Sequence, residues 1–412
     1  MRVISFLYCV QIILISERIL DINASSLVVK RSPNQKPPSD VLEIAKSTTP
    51  EIIKRYGYPA ETHHVTTKDG YILTVHRMKR EGGQPFFLQH GLLDSSATYI
   101  LMGPKIGLGY LLWDLGYDVW LGNARGNRYS KKHKSLNPKE KDFWQFSWHE
   151  IGIYDLPAMI DYILNATEYQ KLFYAGHSQG TTSFFVMCSR RPEFNKKIIL
   201  MQALAPVAFM THIKTPYARI FNRFRENALR TIGEFEMLPQ GKMASMCVSS
   251  ENLENVMINM FFNMVGKNEK EFNRTMWPAM CYHLPAGAAT NQVVHYSQLI
   301  QSGRFCEYDY GPQINEERYG TKIPPKYDLS KVTAPVALYY SENDYLTAPV
   351  DVEYLYTQLG NPVEKYFVPM PEFNHMDFVW GIHVRKLVYE RFLQVMQNYT
   401  NKGSVENVTE EV

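Results

Sequence analysis

The sequence turns from a buried strand into a helix within one glycine-flanked pentapeptide, Gly176 to Gly180, which reads Gly-His-Ser-Gln-Gly. The four apolar residues before it have the length of a buried strand, and residues 181–187 contain no helix breaker. A reversal this sharp crowds the Cβ atoms on both sides of Ser178, and the two glycines relieve that crowding. The pentapeptide therefore predicts a strand, a tight turn that exposes Ser178, and a helix, which is the setting of a nucleophilic serine.

Strand and helix signals alternate along the chain and predict an α/β fold, with a mostly parallel sheet covered by helices on both faces. The strands are expected near residues 71–78, 84–89, 117–122, 171–175, 198–204, 335–341 and 364–368. The alternation stops over residues 206–334, which is typical of a mainly helical cap or lid inserted into a core of this kind. We therefore expect a core of residues 27–205 and 335–400, a cap of residues 206–334, and a mobile tail of residues 401–412.

Within residues 206–334, apolar side chains recur at helical spacing, and Gly266 is placed to end that helix. They are Leu253, Val256, Met257, Met260, Phe261 and Met264. Eight of the 18 methionines lie between Met237 and Met280, and flexible, polarisable side chains of this kind suit a surface that adapts to lipids. For any single methionine, packing of a cap helix onto the core is the better explanation.

An exposed serine nucleophile needs a base, and in this layout an acid and then a histidine follow the serine along the chain. Asp344 comes after the apolar run 336–340, so it is expected at the carboxyl end of a strand, where an orienting acid belongs. His375 follows the next predicted strand and is the expected base. The alternatives are a turn residue for Ser178, a helix N-cap for Asp344 and a surface histidine for His375. Their joint order favours a Ser-Asp-His triad.

Two backbone amides are expected to bind the oxyanion that forms when the serine attacks. One belongs to Gln179, which follows the nucleophile, and the other to Leu92, in the loop after the predicted strand 84–89. His90 and His177 stand beside these residues. Because one base is enough, both histidines are expected to shape their loops rather than to transfer protons.

Together these segments resemble acid lipases of the gastric and lysosomal type, an α/β-hydrolase family that includes insect proteins. The resemblance extends from about residue 40 to about residue 395. The matching stretches are Asp69 to Leu73, His90 to Leu93, Gly122 to Asn127, Phe143 to Ser147, Tyr154 to Ala158, Gly176 to Gly180, Pro285 to Gly287 and Asn374 to Phe378. The resemblance implies a nucleophile at Ser178, an acid at Asp344, a base at His375, and oxyanion donors at Leu92 and Gln179.

Composition excludes several other kinds of site. The formal charge of +3 is small for 412 residues, so no nucleic-acid surface is expected. Cys and His show no metal-ligand spacing, and no phosphate-binding G-x-x-x-x-G-K motif occurs, so neither a metal nor another cofactor is expected.

The chain is expected to enter the secretory pathway and to be secreted or lysosomal. Residues 1–26 combine a basic start with an apolar stretch of signal-peptide length, and no later segment has the apolar length of a transmembrane helix. Glycosylation sequons at Asn165, Asn273, Asn398 and Asn407 agree with this route, and Asn23 also matches the pattern.

Outside the signal, four cysteines allow three complete pairings: Cys188, Cys247, Cys281 and Cys306. The family resemblance implies a short-range pair in the cap with Cys247 as one member, but the region near Val256 holds no second cysteine. A Cys281–Cys306 bridge and free buried thiols both stay open.

The triad thus predicts a serine ester hydrolase, and the family resemblance implies that it acts on a lipid ester, a triacylglycerol or a sterol ester, at a lipid–water interface. Two alternatives stand beside it. A carboxylesterase for small esters would use the same residues. A non-catalytic lipid carrier or yolk-type protein is disfavoured, because such proteins are expected to lose the nucleophile or the base. The oligomeric state is left open.

Overall fold

A computed structural model describes residues 38–217, 235–241, 244, 247 and 250–406 of the chain. The predicted signal and the sequons at Asn23 and Asn407 lie outside these residues. In the described part, the strands are β1 (Glu61–Thr66), β2 (Tyr71–Met78), β3 (Pro85–Gln89), β4 (Asp118–Leu121), β5 (Lys132–His133), β6 (Leu172–His177), β7 (Ile198–Leu204), β8 (Glu236–Met237), β9 (Ala288–Ala289), β10 (Val336–Tyr340) and β11 (Pro362–Phe367).

Nine of these strands form one sheet in the order β1-β2-β4-β3-β6-β7-β10-β11, with β5 paired to β2, and β8 pairs with β9 separately. From β4 to β11 all neighbours are parallel, whereas β2 runs antiparallel to β1, β4 and β5. The mostly parallel sheet is therefore confirmed. β1 was not predicted, because this edge strand has the sequence Glu-Thr-His-His-Val-Thr, which contains no continuous apolar run.

The α-helices are α1 (Ser39–Lys46), α2 (Thr49–Arg55), α3 (Leu108–Asp114), α4 (Trp148–Glu150), α5 (Leu156–Thr167), α6 (Gln179–Arg190), α7 (Glu251–Val265), α8 (Trp277–His283), α9 (Thr290–Ser302), α10 (Pro312–Tyr319), α11 (Pro349–Gln358), α12 (Asp377–Trp380) and α13 (Glu390–Glu406). π-helical stretches Ile151–Asp155 and Arg385–Tyr389 lead into α5 and α13. Short 3-10 turns occupy Ser96–Tyr99, Lys141–Trp144, Pro192–Lys197, Arg274–Met276 and Leu329–Lys331.

Helices cover both faces of the sheet, and alternate strand residues point to opposite sides. In β3, Phe86 and Leu88 join one apolar cluster with residues of α1, α2, α3 and α13. Phe87, between them, joins a second cluster with residues of α5, α6 and α11. Because both faces are buried, the inner strands are nearly continuous apolar runs. This is why their positions could be predicted from sequence.

Residues 206–334, here called the inserted segment, leave the sheet after β7 and return at β10, which pairs directly with β7. In its described part, the regular secondary structure of the segment is mainly helical (α7 to α10), with β8 and β9 forming the small separate sheet. None of the helices in the described part of the chain combines the length and hydropathy needed to span a bilayer.

The predicted helix in the inserted segment is confirmed as α7, which ends at Gly266 with φ of 103°. Its predicted inner face is only partly right. Met257 is buried, but Met264 is 43% exposed, and Ile258, Phe262 and Val265 are buried instead. Apolar side chains cover most of this helix, so periodicity alone could not select the face that packs.

The cysteine pairing is Cys247–Cys281, which joins residues 34 apart in sequence within the inserted segment. The suggested Cys281–Cys306 bridge is therefore wrong. Cys188 and Cys306 are buried free thiols. The partner of Cys247 lies on α8, far beyond the position near Val256 that the family resemblance implied, so local spacing could not identify it.

Candidate active site

Ser178 stands alone between β6 and α6 with φ of 52° and ψ of −118°, a backbone conformation that is unfavourable for a residue with a side chain. The flanking glycines make the turn possible. A Cβ on Gly180 would lie 2.3 Å from the carbonyl oxygen of Gln89, and one on Gly176 would lie 2.7 Å from the carbonyl carbon of Gly180. The predicted sequence of strand, tight turn and helix is confirmed.

Backbone contacts hold this turn from both sides. The N–H of Ser178 donates to the carbonyl of Leu204 in β7 at 3.0 Å. The carbonyl of Ser178 accepts from the N–H of Thr181 at 2.8 Å and from its hydroxyl at 2.6 Å. A serine in a strained conformation is thus fixed by surrounding structure rather than by its own preference.

The structure brings Asp344 and His375 together. Nδ1 of His375 donates to Oδ2 of Asp344 at 2.8 Å, and both side chains are buried. The carboxylate acceptor assigns the ring proton to Nδ1, so Nε2 carries the lone pair that a base needs. Roles for Ser178, Asp344 and His375 stay predictions, but the acid and the base occupy the relation that those roles require.

Asp344 also makes capping hydrogen bonds of the kind that the helix-cap alternative predicts. Its Oδ1 accepts from the N–H groups of Leu346 and Thr347, both at 2.8 Å, and Oδ2 accepts from the hydroxyl of Thr347 at 2.6 Å. One carboxylate therefore caps the turn and orients the imidazole. The capping bonds fix the carboxylate in the direction in which it meets His375.

The loop that carries His375 rests on the end of α7. The N–H of His375 donates to the carbonyl of Val265 at 3.1 Å, and Nδ2 of Asn374 donates to the carbonyl of Gly266 at 2.9 Å. Gly266 has no room for a side chain, since a Cβ there would lie 2.0 Å from the carbonyl oxygen of Asn343. The inserted segment thus supports the candidate base directly.

Asp377 and Asn268 form a second support for the loop that carries His375. Oδ2 of Asp377 accepts from the N–H of Asn374 at 2.8 Å and from Nδ2 of Asn268 at 2.7 Å. Burial, together with the nearby carboxylates of Glu271 and Asp344, raises the pKa of Asp377 to about 8, although the hydrogen bonds from Asn374 and Asn268 lower it. Asp377 is therefore a structural partner within the His375 loop.

Asp377→Asn is expected to make the stability of the protein less sensitive to pH between 3.8 and about 8. The folded chain keeps a proton on Asp377 up to a pKa of about 8, whereas the unfolded chain releases it near 3.8. The resulting stability is fully present below the unfolded value and is lost as pH rises through 8. Thermal melts of both proteins from pH 5 to pH 9 should show a steeper decline for the wild type, and parallel declines would contradict this.

The two histidines beside the candidate oxyanion donors are buried and neutral. Nε2 of His177 donates to the carbonyl of His375 at 2.9 Å, and burial lowers its pKa to about 3. His90 donates from Nδ1 to the carbonyl of Gly91 at 2.7 Å, and burial lowers its pKa to about 4. Both therefore hold backbone in place, in agreement with the shaping role expected for them.

The loop of Leu92 lies against the serine turn. A Cβ on Gly91 would lie 3.2 Å from the Cβ of Ser178, and Leu93 has a positive φ of 61°. The next peptide is tied to the inserted segment, because the N–H of Ala286 donates to the carbonyl of Leu93 at 2.6 Å. Leu92 and Gln179 thus stand on two neighbouring turns, as the predicted oxyanion hole requires.

A buried ion network explains three of the motif stretches. Arg125 is 1% exposed; its guanidinium donates to Asp155 at 2.7 Å and to Asp69 at 2.6 and 2.9 Å, and it lies 4.0 Å from the ring centre of Tyr71. The loop fixed in this way places the N–H of Ala124 3.1 Å from Nε2 of His90. The network therefore supports the Leu92 loop from behind.

Known proteins that this chain resembles belong to one family. A profile described as alpha/beta hydrolase fold matches residues 84–382, and one described as partial alpha/beta-hydrolase lipase region matches residues 49–103. Lipase 1 of Drosophila melanogaster is 53% identical over 353 residues, covering 84% of this chain and 79% of the relative. Bovine gastric triacylglycerol lipase is 38% identical, covering 85% and 91%. Human lysosomal acid lipase/cholesteryl ester hydrolase is 35% identical, covering 85% and 90%.

The chain belongs to the gastric and lysosomal acid lipase family of α/β hydrolases. This lipase is therefore an ester hydrolase with the α/β-hydrolase fold, and the resemblance inferred from its sequence is confirmed. Among the described residues, no cluster of three His, Cys, Asp or Glu side chains is arranged to hold a metal ion.

Proposed function

We propose that this lipase hydrolyses triacylglycerols or sterol esters at a lipid–water interface through Ser178, His375 and Asp344. His375 takes the proton of Ser178 as Oγ attacks the ester carbonyl, and the imidazolium then gives that proton to the leaving alcohol. Water attacks the acyl-enzyme in the same way and restores Ser178. Asp344 keeps the ring proton on Nδ1 and stabilises the imidazolium.

The observation that carries this proposal is the 2.8 Å hydrogen bond between Asp344 and His375. The carbonyl of His375 in turn accepts from Nε2 of His177, the residue before Ser178. Two amides complete the site. The tetrahedral oxyanion is assigned to the N–H groups of Leu92 and Gln179, and losing one such donor costs about 3 kcal/mol of barrier lowering. Gln179 begins α6, so its N–H has no acceptor within the helix.

The substrate class rests on the relatives and on the inserted segment. One relative is named as a triacylglycerol lipase and another as a cholesteryl ester hydrolase, and both ester types fit the same chemistry. Their gastric and lysosomal names also support a secreted or lysosomal location. The half-exposed apolar side chains of α7 offer a surface for long acyl chains close to the site, because Val265 at its end contacts His375.

A series of esters of increasing acyl length, each measured in solution and as an emulsion, tests the proposal. A lipase should gain activity when long-chain esters form an interface. A small-ester carboxylesterase should work best on short dissolved esters and lose activity in emulsions. A lipid carrier should bind long-chain esters without turnover. Parallel assays with triacylglycerol and sterol ester emulsions then decide between the two lipid classes.

Met264→Gln is expected to lower kcat/KM for long-chain esters several-fold while short-ester hydrolysis and the melting temperature stay near wild type. Met264 is 43% exposed and precedes the residue that contacts His375, so an amide there disturbs acyl contacts rather than packing. Met257→Gln is the control on the same helix. Met257 is 5% exposed, and its replacement should lower stability and both activities together. If Met264→Gln lost activity on long-chain and short-chain esters equally, as Met257→Gln should, the acyl-binding role assigned to α7 would be wrong.

A further inference from the structure

One short stretch of the inserted segment contacts both turns of the proposed oxyanion hole. At its start, the N–H of Ala286 donates to the carbonyl of Leu93 at 2.6 Å. At its end, Oε1 of Gln292 accepts from Nε2 of Gln179 at 2.8 Å. The first of these contacts involves the Pro285 to Gly287 motif, which the triad itself does not use. Residues 286–292 thus lie across the two loops that carry the Leu92 and Gln179 amides.

The Gln179–Gln292 hydrogen bond lies in a dry environment. Gln179 is 3% exposed and Gln292 is 2% exposed, so neither amide can exchange its partner for bulk water. Loss of a buried partner leaves a polar group unsatisfied, and this costs more than an exposed hydrogen bond would. The contact therefore restrains Gln179 strongly compared with a surface pair.

The same residue carries the restrained side chain and the proposed oxyanion donor. The peptide unit that joins Ser178 to Gln179 is planar, so its carbonyl and its N–H point in opposite directions. Thr181 holds the carbonyl end through its N–H and its hydroxyl. Gln292 holds the other end, through the side chain of Gln179. Together they fix the direction of the Gln179 N–H.

We propose that Gln292 is a positioning residue for the oxyanion hole, acting through Gln179, and that residues 286–292 set the spacing of the two donors. The proposal rests on the proposed function, because it takes Ser178 as the nucleophile. It implies that the inserted segment contributes to the chemical step itself, for small soluble esters as well as for lipids. A loosened donor should slow acylation without weakening substrate binding.

Gln298 provides a matched control for a purely structural role. It lies on the same helix, α9, and is 7% exposed. Its side chain makes two hydrogen bonds to the backbone of Asp309, both at 2.8 Å, away from Ser178. Gln298→Leu therefore removes a buried glutamine of α9 without touching the oxyanion hole.

The experiment compares Gln292→Leu, Gln298→Leu and wild type in the full-length protein, using a soluble short ester and a serine-directed phosphonate. The phosphonate counts active sites, its labelled residue is identified by mass spectrometry, and its reaction rate reports oxyanion stabilisation. For Gln292→Leu we expect kcat per active site and the phosphonylation rate to fall about tenfold or more, with KM within about twofold. Gln298→Leu should lower the melting temperature but leave both rates per active site near wild type.

Further variants keep the test decisive. Gln292→Glu should recover much of the lost rate at acidic pH, where a buried neutral carboxyl still offers a carbonyl acceptor to Gln179. Adding Gln179→Leu to Gln292→Leu should cost little more than the larger single loss, since both remove one contact. If Gln292→Leu does not fold, Gln292→Asn carries the test, because its amide is retained but falls short of Gln179.

Two results would overturn the inference: wild-type rates per active site in Gln292→Leu, or equal rate losses in Gln292→Leu and Gln298→Leu. These are distinct from failure of the proposed function. If the phosphonate labels a serine other than Ser178, the triad assignment is wrong and the inference falls with it. If it labels Ser178 at the same rate in every variant, the triad stands and only the positioning role of Gln292 is lost.

Discussion

Ser178→Ala is expected to abolish ester hydrolysis, with kcat lower by about a millionfold, while the protein folds normally. The side chain is small and only half-buried, so its removal changes little packing. The neighbouring contacts of the turn are made by the backbone of Ser178 and are unaffected. The measurement is kcat on a soluble short ester, together with a thermal melt and phosphonate labelling of the peptide that contains residue 178.

Ser183→Ala is the matched control for this result. Ser183 lies on α6, is 1% exposed, and its hydroxyl has no hydrogen-bond partner among the residues that the structure describes. Its loss should leave kcat and labelling unchanged. Turnover retained by Ser178→Ala, or labelling at another serine, would show that the nucleophile has been misassigned.

Asp344→Asn is expected to lower kcat by about ten-thousandfold with only a modest fall in melting temperature. An asparagine can still accept the N–H groups of Leu346 and Thr347 through Oδ1, so the cap is retained. Its amide nitrogen then faces Nδ1 of His375 and cannot accept the ring proton. The imidazole is left in the wrong tautomer, which is a kinetic defect rather than a loss of stability.

Asp351→Asn separates this effect from the loss of any aspartate–histidine hydrogen bond. Asp351 is 5% exposed and accepts from Nδ1 of His212 at 2.7 Å, remote in sequence from the serine turn. Its replacement should spare kcat. If Asp344 acted only as a helix cap, its loss would cost about 1 kcal/mol of stability and little activity. Normal kcat in Asp344→Asn would therefore refute the proposed acid, and Asp377→Asn would be measured next.

The inner strands of the sheet are predictable from sequence because they are buried on both faces. β2 and β7 have the predicted bounds, and the other predicted strands lie within two residues of theirs. The polar edge strand β1 gave no such signal. The candidate acid and base were also predictable, since each follows a strand at its carboxyl end. Gln292 was not, because its contact with Gln179 joins residues 113 apart and depends on how α9 packs.

Contacts made by backbone groups are the other feature that could not be predicted from the sequence. The carbonyl of Val265 accepts from His375, and any residue type can supply a carbonyl, so no sequence pattern marks it. The Cys247–Cys281 pairing could not be predicted for a related reason. The position of Cys281 on α8 relative to Cys247 is set by tertiary packing, which local spacing does not encode.

The junction at Gly266 has a consequence for exchanging parts between relatives. Its backbone touches Asn343 and Asn374, on the loops that carry the candidate acid and base, and leaves no space for a Cβ. An inserted segment transplanted from another lipase would therefore bring a foreign surface against the recipient's loops. Chimeras should be active when the crossover lies before Val265, so that Gly266 and both loops come from the same parent. They should also be active when the 343–345 and 374–377 loops are transferred together with the donor segment. The inserted segment thus forms one structural unit with two loops that lie outside it in sequence.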